Sequence, residues 1–134
     1  MSTSSKRSDY ILFFRNTTWY QDLAPEEIQE KMARFTAWFE RLNGAGQFKS
    51  GGPLAHKGKI ISRKNVVMDG PFAESKEAIA GFFIIQADSL EQAVEIAKEC
   101  PGLEFGQTVE VRALDSEPHE LVVARERIAA SNKS

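Results

Sequence analysis

The chain has one cysteine, no long hydrophobic segment and no excess of charge of one sign, and each shortage excludes a class of protein. A single thiol cannot form an internal disulfide, so the fold must be held together by its own core. No apolar run approaches the roughly 20 residues that a membrane-spanning helix needs. The 17 basic and 19 acidic residues form no basic stripe of the kind that binds nucleic acid. We therefore expect neither a nucleic-acid partner nor a membrane role.

The length and composition are those of one ordinary globular domain. At 134 residues the chain is long enough to bury a core. Residues 1–8 are polar and lack the apolar segment of a signal peptide, so we expect a short flexible arm there and a cytoplasmic protein. The domain itself is expected over residues 9–114, followed by a polar tail over 115–134. Cys100 precedes Pro101 at an expected helix end, which favours a structural thiol over a nucleophile.

Strand and helix patterns alternate along the domain. Apolar residues at 28, 32, 35, 39 and 42 follow the helical repeat and predict one buried stripe. Ser89 and Gln92 have the spacing of a capping box at a second helix. The tail is predicted to form either a short helix over 120–130 or an arm that reaches a partner. The other predicted elements, in order, are a strand over 10–15, a helix over 25–43, an interrupted strand over 47–56, a hairpin of 59–63 and 66–68, a strand over 79–87, a helix from 89 to Pro101, and a strand over 108–114.

This order predicts an α+β, ferredoxin-like fold, the split βαβ arrangement, with a hairpin inserted in its middle. The first and third main strands are central in that fold, and here they are the most apolar strands. Both helices would cover one side of the sheet and leave apolar side chains on the other side. A second copy packed sheet to sheet would cover them, so we expect a homodimer. The alternatives are that the tail folds back across the sheet, or that the open face is a ligand pocket.

Turn residues and charges are concentrated between Asp69 and Glu77, directly before the most apolar strand. Asp-Gly predicts a tight turn at 69–70, and a rigid loop there can hold charges at the mouth of a pocket. Asp69 is the best candidate acid or base, with capping of the turn as its structural alternative. His56, in a loop with lysine and glycine, is the second candidate for proton transfer, with a solvated loop histidine as the favoured structural alternative. The candidate ligand-binding residues are Glu74, Lys76, Glu77 and Arg112.

Three segments of the chain resemble one known family. The run Asp-Gly-Pro-Phe-Ala-Glu-Ser-Lys-Glu at 69–77 resembles the signature of the DGPF branch of the YCII-related proteins. Gly-Gly-Pro-Leu at 51–54 and Val-Glu-Val-Arg at 109–112 resemble the glycine bend and the closing strand of that family. The resemblance implies a dimeric α+β barrel built from ferredoxin-like subunits. It implies little about activity: some relatives act on small, often aromatic compounds without a cofactor, and members of the branch often accompany sigma factors of the extracytoplasmic type.

One departure from the family pattern concerns the implied catalytic pair. Narrower members carry a histidine on the first helix, thought to pair with the loop aspartate, and residues 25–43 contain no histidine. Two hypotheses follow. The first is a dimeric, cofactor-free enzyme or binder of a small polar or aromatic compound. The second is a non-enzymatic regulatory module that recognises a protein such as a sigma factor. We expect no metal, because the carboxylates at 69, 74 and 77 match no known metal site.

Overall fold

Six strands and three helices make up the described part of this computed structural model, which covers residues 7–70 and 77–132. The strands are β1 (Ser8–Arg15), β2 (Phe48–Pro53), β3 (Gly58–Arg63), β4 (Val66–Gly70), β5 (Ile79–Ala87) and β6 (Thr108–Ala113). The helices are α1 (Pro25–Gly44), α2 (Leu90–Ala97) and α3 (His119–Ser131), and a 3₁₀ turn spans Pro101–Phe105. No helix within those ranges is long and apolar enough to cross a membrane.

The main sheet has the order β2-β5-β1-β6, and each neighbouring pair in it is antiparallel. The two most apolar strands, β1 and β5, are therefore central, as the sequence predicts. This topology confirms the α+β, ferredoxin-like fold. Strands β3 and β4 pair only with each other and form a separate hairpin between β2 and β5.

One face of the sheet carries the core. Side chains alternate across a strand, so every second residue of β1 points toward the helices. The core joins this face to α1 and α2, and its members are Tyr10, Leu12, Phe14, Trp38, Leu42, Phe83, Ile85, Ala87, Ala93, Ile96, Ala97 and Cys100. Both crossover helices, α1 and α2, thus cover the same face of the sheet. Neither of them packs on the opposite face.

The predicted stripe of α1 is correct in part. Leu42 is buried, and Phe35 and Phe39 pack against the core while remaining half-buried. Met32 is 46% exposed, so its predicted burial is wrong, and Trp38 is buried instead. The C-terminal half of α1 supplies the described ring contacts with β1 and β5, since Phe35 and Trp38 pack on Phe14 and Phe83.

The helix starts follow the sequence signals. Pro25 opens α1, and the Glu27 side chain accepts a hydrogen bond from the Ala24 N–H at 2.9 Å. Ser89 caps α2 by accepting a hydrogen bond from the Gln92 N–H at 3.0 Å, so the predicted capping contact is confirmed.

The predicted turn at Asp69-Gly70 is wrong. Both residues belong to β4, where Asp69 pairs with Lys59 and Gly70 with Gly58. Cross-strand pairing overrides the local preference of the dipeptide. The tail forms the helical alternative: α3 runs over His119–Ser131, buries none of its residues and contributes none to the core.

The bend in β2 depends on Gly51. Its φ is 140°, and a Cβ there would lie 2.2 Å from the Phe82 carbonyl oxygen. Only glycine permits both that backbone conformation and that approach of β2 to β5. Gly52, the next residue, has open space where a Cβ would stand.

We therefore expect Gly51→Ala to lower the free energy of unfolding by about 1–3 kcal/mol, because it adds backbone strain and a clash. Gly52→Ala is the matched control and should change stability by no more than about 0.5 kcal/mol. Urea unfolding followed by circular dichroism measures both. Equal stability of the two variants would contradict this account of the bend.

Candidate functional site

A cavity of about 500 Å³ lies between α1 and the β2 edge of the sheet, on the same face as the core. It is closed at one end by the segment after β1 and by the 3₁₀ turn. Among its described lining residues, those that are exposed stand at its mouth: Tyr20, Met32, Thr36, Gly51, Pro53, Leu54 and His56. The walls are dominated by aromatic rings, namely Phe14, Trp19, Tyr20, Phe35, Phe39, Phe48, Phe83 and Phe105.

Phe83 of β5 is the centre of this aromatic wall. Its ring lies edge to face with Phe14 and with Phe48, both at 5.0 Å between ring centres, and stacks on Trp38 at 5.5 Å. Phe35 and Phe39 of α1 lie at 5.9 and 6.1 Å from it. Aromatic pairs at these separations contribute about 0.5–1.5 kcal/mol each beyond burial of their area. The rings are therefore fixed by one another before anything enters the cavity.

Small residues form the part of the lining that faces α1. Gly51, Gly52, Ala80 and Gly81 all border the cavity. The backbones of β2 and β5 approach so closely here that a Cβ at Gly81 would lie 2.9 Å from the Gly52 carbonyl oxygen. The space above the two strands is left empty because none of these residues has a side chain long enough to fill it.

Asn16 fixes the far end of the cavity. It is buried and has φ 87°, a conformation that asparagine tolerates better than most residues. Its Nδ2 donates to the Gly106 carbonyl at 2.9 Å, and its Oδ1 accepts from the Thr18 N–H at 3.0 Å. These bonds tie the segment after β1 to the turn before β6. They hold Trp19 and Phe105 together, with ring centres 4.7 Å apart.

No described residue that lines the cavity is an aspartate, glutamate, lysine or arginine. The polar lining consists of hydroxyl, amide and imidazole groups. Gln107 is buried, and its Oε1 has no hydrogen-bond partner within the described part of the chain. The Gln107 side chain lies over Gly102, where a Cβ would come within 2.0 Å of Oε1. An uncharged, amide-bearing aromatic cavity suits an uncharged ligand better than an ion.

The two predicted proton-transfer residues lie close to this cavity but not together inside it. His56 lines its mouth. His56 and Asp69 also line a second groove, of about 540 Å³, beside the hairpin. The Asp69 side chain is 89% exposed and forms an ion pair with Lys59 at 2.5 Å. Asp69 therefore borders the groove and not the aromatic cavity, and the catalytic role of both residues stays a prediction.

The predicted ligand-binding residues are described only in part, at Glu77 and Arg112. Arg112 lies on the opposite face of the sheet, exposed, with its Nε 4.0 Å from Glu110. The Glu77 carbonyl accepts a hydrogen bond from Arg15 at 2.5 Å. Glu74 and Lys76 lie outside the described residues. Arg15 also binds Glu110 at 2.6 Å, and this hydrogen bond holds the pKa of the Glu110 carboxyl below its usual range.

Sequence reasoning missed the aromatic lining. The nine phenylalanines are a signal, but the helical repeat places Phe35 and Phe39 in a buried stripe and not in a cavity wall.

Within the described ranges, no group of three or more His, Cys, Asp or Glu side chains is placed to hold a metal ion. The expectation of no metal and no cofactor stays a prediction.

The sequence profile of the YCII-related domain matches residues 12–115. The chain belongs to the YCII-related domain family. It is also similar to Uncharacterized protein R00369 of Rhizobium meliloti (strain 1021), with 47% identity over 36 residues. Those residues are 27% of this chain and 29% of that protein, so the chain spans less than a third of that relative's length.

The match to the YCII-related domain includes the whole aromatic cavity, since every lining residue lies between 12 and 115. Placement in the DGPF branch stays a prediction from the run at 69–77. In this YCII-related chain, α1 carries no histidine that could approach Asp69. The imidazole that shares a groove with Asp69 is that of His56.

Cys100 is packed in the core, 2% exposed, and burial raises the pKa of its thiol to about 11. We expect it to react slowly with a thiol reagent at about pH 8 in the folded protein, because the thiolate is scarce and inaccessible. The rate should rise to that of a free thiol in denaturant. Fast labelling of the folded chain, followed by absorbance, would contradict the structural role.

Proposed function

We propose that this protein binds a small, uncharged aromatic compound in the cavity between α1 and the sheet, without a cofactor and as a homodimer. The observation that carries the proposal is the wall of eight aromatic side chains around a space of about 500 Å³. Cavities of about 300–1,000 Å³ are the usual size for small-molecule sites. Seven of the eight rings already pack edge to face with a neighbour, an arrangement that an entering aromatic ring extends.

The chemistry of the lining supports an uncharged ligand. A charged compound would lose its hydration among aromatic rings, and no described residue that lines the cavity would offset its charge. Thr36 and His56 at the mouth, and the amide of Gln107 deeper in, are the groups that would orient a hydroxyl or amine of the compound. His56 is also the group that would exchange a proton with a compound held there.

The binding proposal is tested by thermal unfolding with indole and naphthol as probes, and with benzoate and cyclohexanol as charged and non-aromatic controls. A compound present at a hundredfold excess over its Kd stabilises the native state by about 2.7 kcal/mol. Thr36→Phe should abolish the rise in Tm with indole or naphthol, because the added ring occupies the mouth of the cavity. Ala37→Phe is the matched control, since Ala37 is exposed on the same helix outside the lining.

The variant Asp69→Asn tests whether the probes bind in the aromatic cavity or in the second groove. Because Asp69 does not line the aromatic cavity, this variant should keep the response to indole. Benzoate shifting Tm as much as indole, or no aromatic probe shifting the wild type, would count against the proposal.

The homodimer is supported by the face of the sheet that the helices leave open. Ile11 and Phe13 of β1 lie directly opposite Ile84 and Phe82 of β5 on that face. All four are half-buried in the single chain. An ionic cluster flanks them at each end: Lys49 binds Asp9 at 2.5 Å, and Arg15 binds Glu110 at 2.6 Å. An apolar centre with a polar rim is the usual pattern of an interface.

Sedimentation at micromolar concentration tests the dimer. The wild type should sediment at twice its chain mass of 15.0 kDa. Ile84→Asp should sediment as the single chain, because a carboxylate would be buried without a partner in the interface. Leu103→Asp is the control: Leu103 is exposed on the helix side of the sheet, and the variant should remain dimeric. A monomeric wild type, or a dimeric Ile84→Asp variant that keeps its folded spectrum, would refute it.

A further inference from the structure

Two elements of the chain expose apolar side chains without packing them against the core. The first is the hairpin, β3 and β4, which exposes Ile60, Ile61, Val66, Val67 and Met68. The second is α3, which buries none of its residues and exposes Leu121 and Ile128. A lone two-stranded hairpin is marginally stable in water, so the hairpin needs a surface to pack on.

The hairpin and α3 start at diagonally opposite corners of the main sheet. The hairpin joins the end of β2, an edge strand, to the start of β5, where Ile79 pairs with Arg15 at the end of β1. Helix α3 follows β6, the other edge strand, and Leu114 donates a hydrogen bond to Asp9 at the beginning of β1. The two elements therefore leave the sheet from opposite edges and opposite ends. Within one chain, the hairpin and α3 are not placed to pack on each other.

Their charges are complementary. Residues 57–70, which contain the hairpin, carry four cations against one carboxylate, namely Lys57, Lys59, Arg63 and Lys64 against Asp69. Residues 115–132 carry four carboxylates against two cations, namely Asp115, Glu117, Glu120 and Glu126 against Arg125 and Arg127. Arg125 binds both carboxylate oxygens of Glu117, at 2.5 and 2.8 Å, which fixes the segment before α3 to the helix.

We propose that each hairpin packs on α3 of a second copy of the chain. This inference rests on the proposed sheet-to-sheet dimer. When two such sheets face each other about a two-fold axis along the remaining diagonal, the hairpin corner of each copy meets the α3 corner of the other. The symmetry forms the contact twice. Ile61 and Val67, which pair across the hairpin, then meet the exposed Leu121 and Ile128, while the basic and acidic segments lie side by side.

Disulfide trapping tests this contact directly. Ile61→Cys and Leu121→Cys are made on separate chains that carry different tags, and the two chains are co-expressed and oxidised. Both positions are exposed, and Cys100 is buried, so wild type treated in the same way is the background control. A covalent dimer that contains both tags is expected on a non-reducing gel. Each variant alone should give none, because the two hairpins of a dimer lie at opposite corners.

The outcomes separate this inference from the dimer itself. A chain mixture that sediments as monomer overturns both. A mixture that is dimeric yet gives no mixed covalent band overturns the hairpin contact and leaves the sheet-to-sheet dimer standing. A single chain with both cysteines that forms an internal disulfide also overturns it, because the hairpin would then pack on its own α3.

Charge reversal gives a second measurement that needs no oxidation. Arg63→Glu with Lys64→Glu should raise the dissociation constant of the dimer, and the increase should shrink at high salt as the charges are screened. Adding Glu120→Lys and Glu126→Lys to the same chain should restore the affinity. A dissociation constant unchanged by the first pair, or not restored by the second, contradicts the proposal.

Discussion

The packing of Phe83 determines most of what this molecule can do. Its ring lies at the middle of a central strand and touches rings from β1, β2 and α1. That one side chain therefore sets the distance between the helix and the sheet. Because its contacts with Phe14, Phe35 and Phe48 are edge to face, these rings cannot slide over it without losing their favoured geometry. The cavity is the space left beside this cluster, where the strand residues change from phenylalanine to glycine.

The fold was largely predictable because its signals are local and agree with one another. The bounds predicted for β5 match those observed, and the Ser89 cap lies where the spacing of Ser and Gln placed it. The central position of β1 and β5 followed from their uninterrupted apolar runs. The turn at Asp69 was mispredicted, since pairing with Lys59 is a contact between strands that a dipeptide preference does not include. The burial of Trp38 likewise depends on how α1 crosses the sheet.

The site was much less predictable. Its lining comes from the segment after β1, from α1, from β2 and the loop after it, from β5, and from the turn before β6. No local pattern marks such a set, because each aromatic residue is equally consistent with a core position. The charged residues around Asp69 form the more conspicuous sequence pattern, yet Arg112 lies on the other face of the sheet. Of the predicted residues that the structure describes, only His56 lines the aromatic cavity.

The glycine contact between β2 and β5 has a consequence for how this family diverges. At Gly51 and Gly81, where main chain replaces side chain beside the cavity, any substitution places a Cβ 2.2 or 2.9 Å from a carbonyl oxygen of the neighbouring strand. Selectivity for one compound over another must then evolve on the facing surface, through α1 and the segment that bears Trp19. A catalogue of natural variants should accordingly vary at 32, 36 and 39 while Gly51 and Gly81 stay fixed.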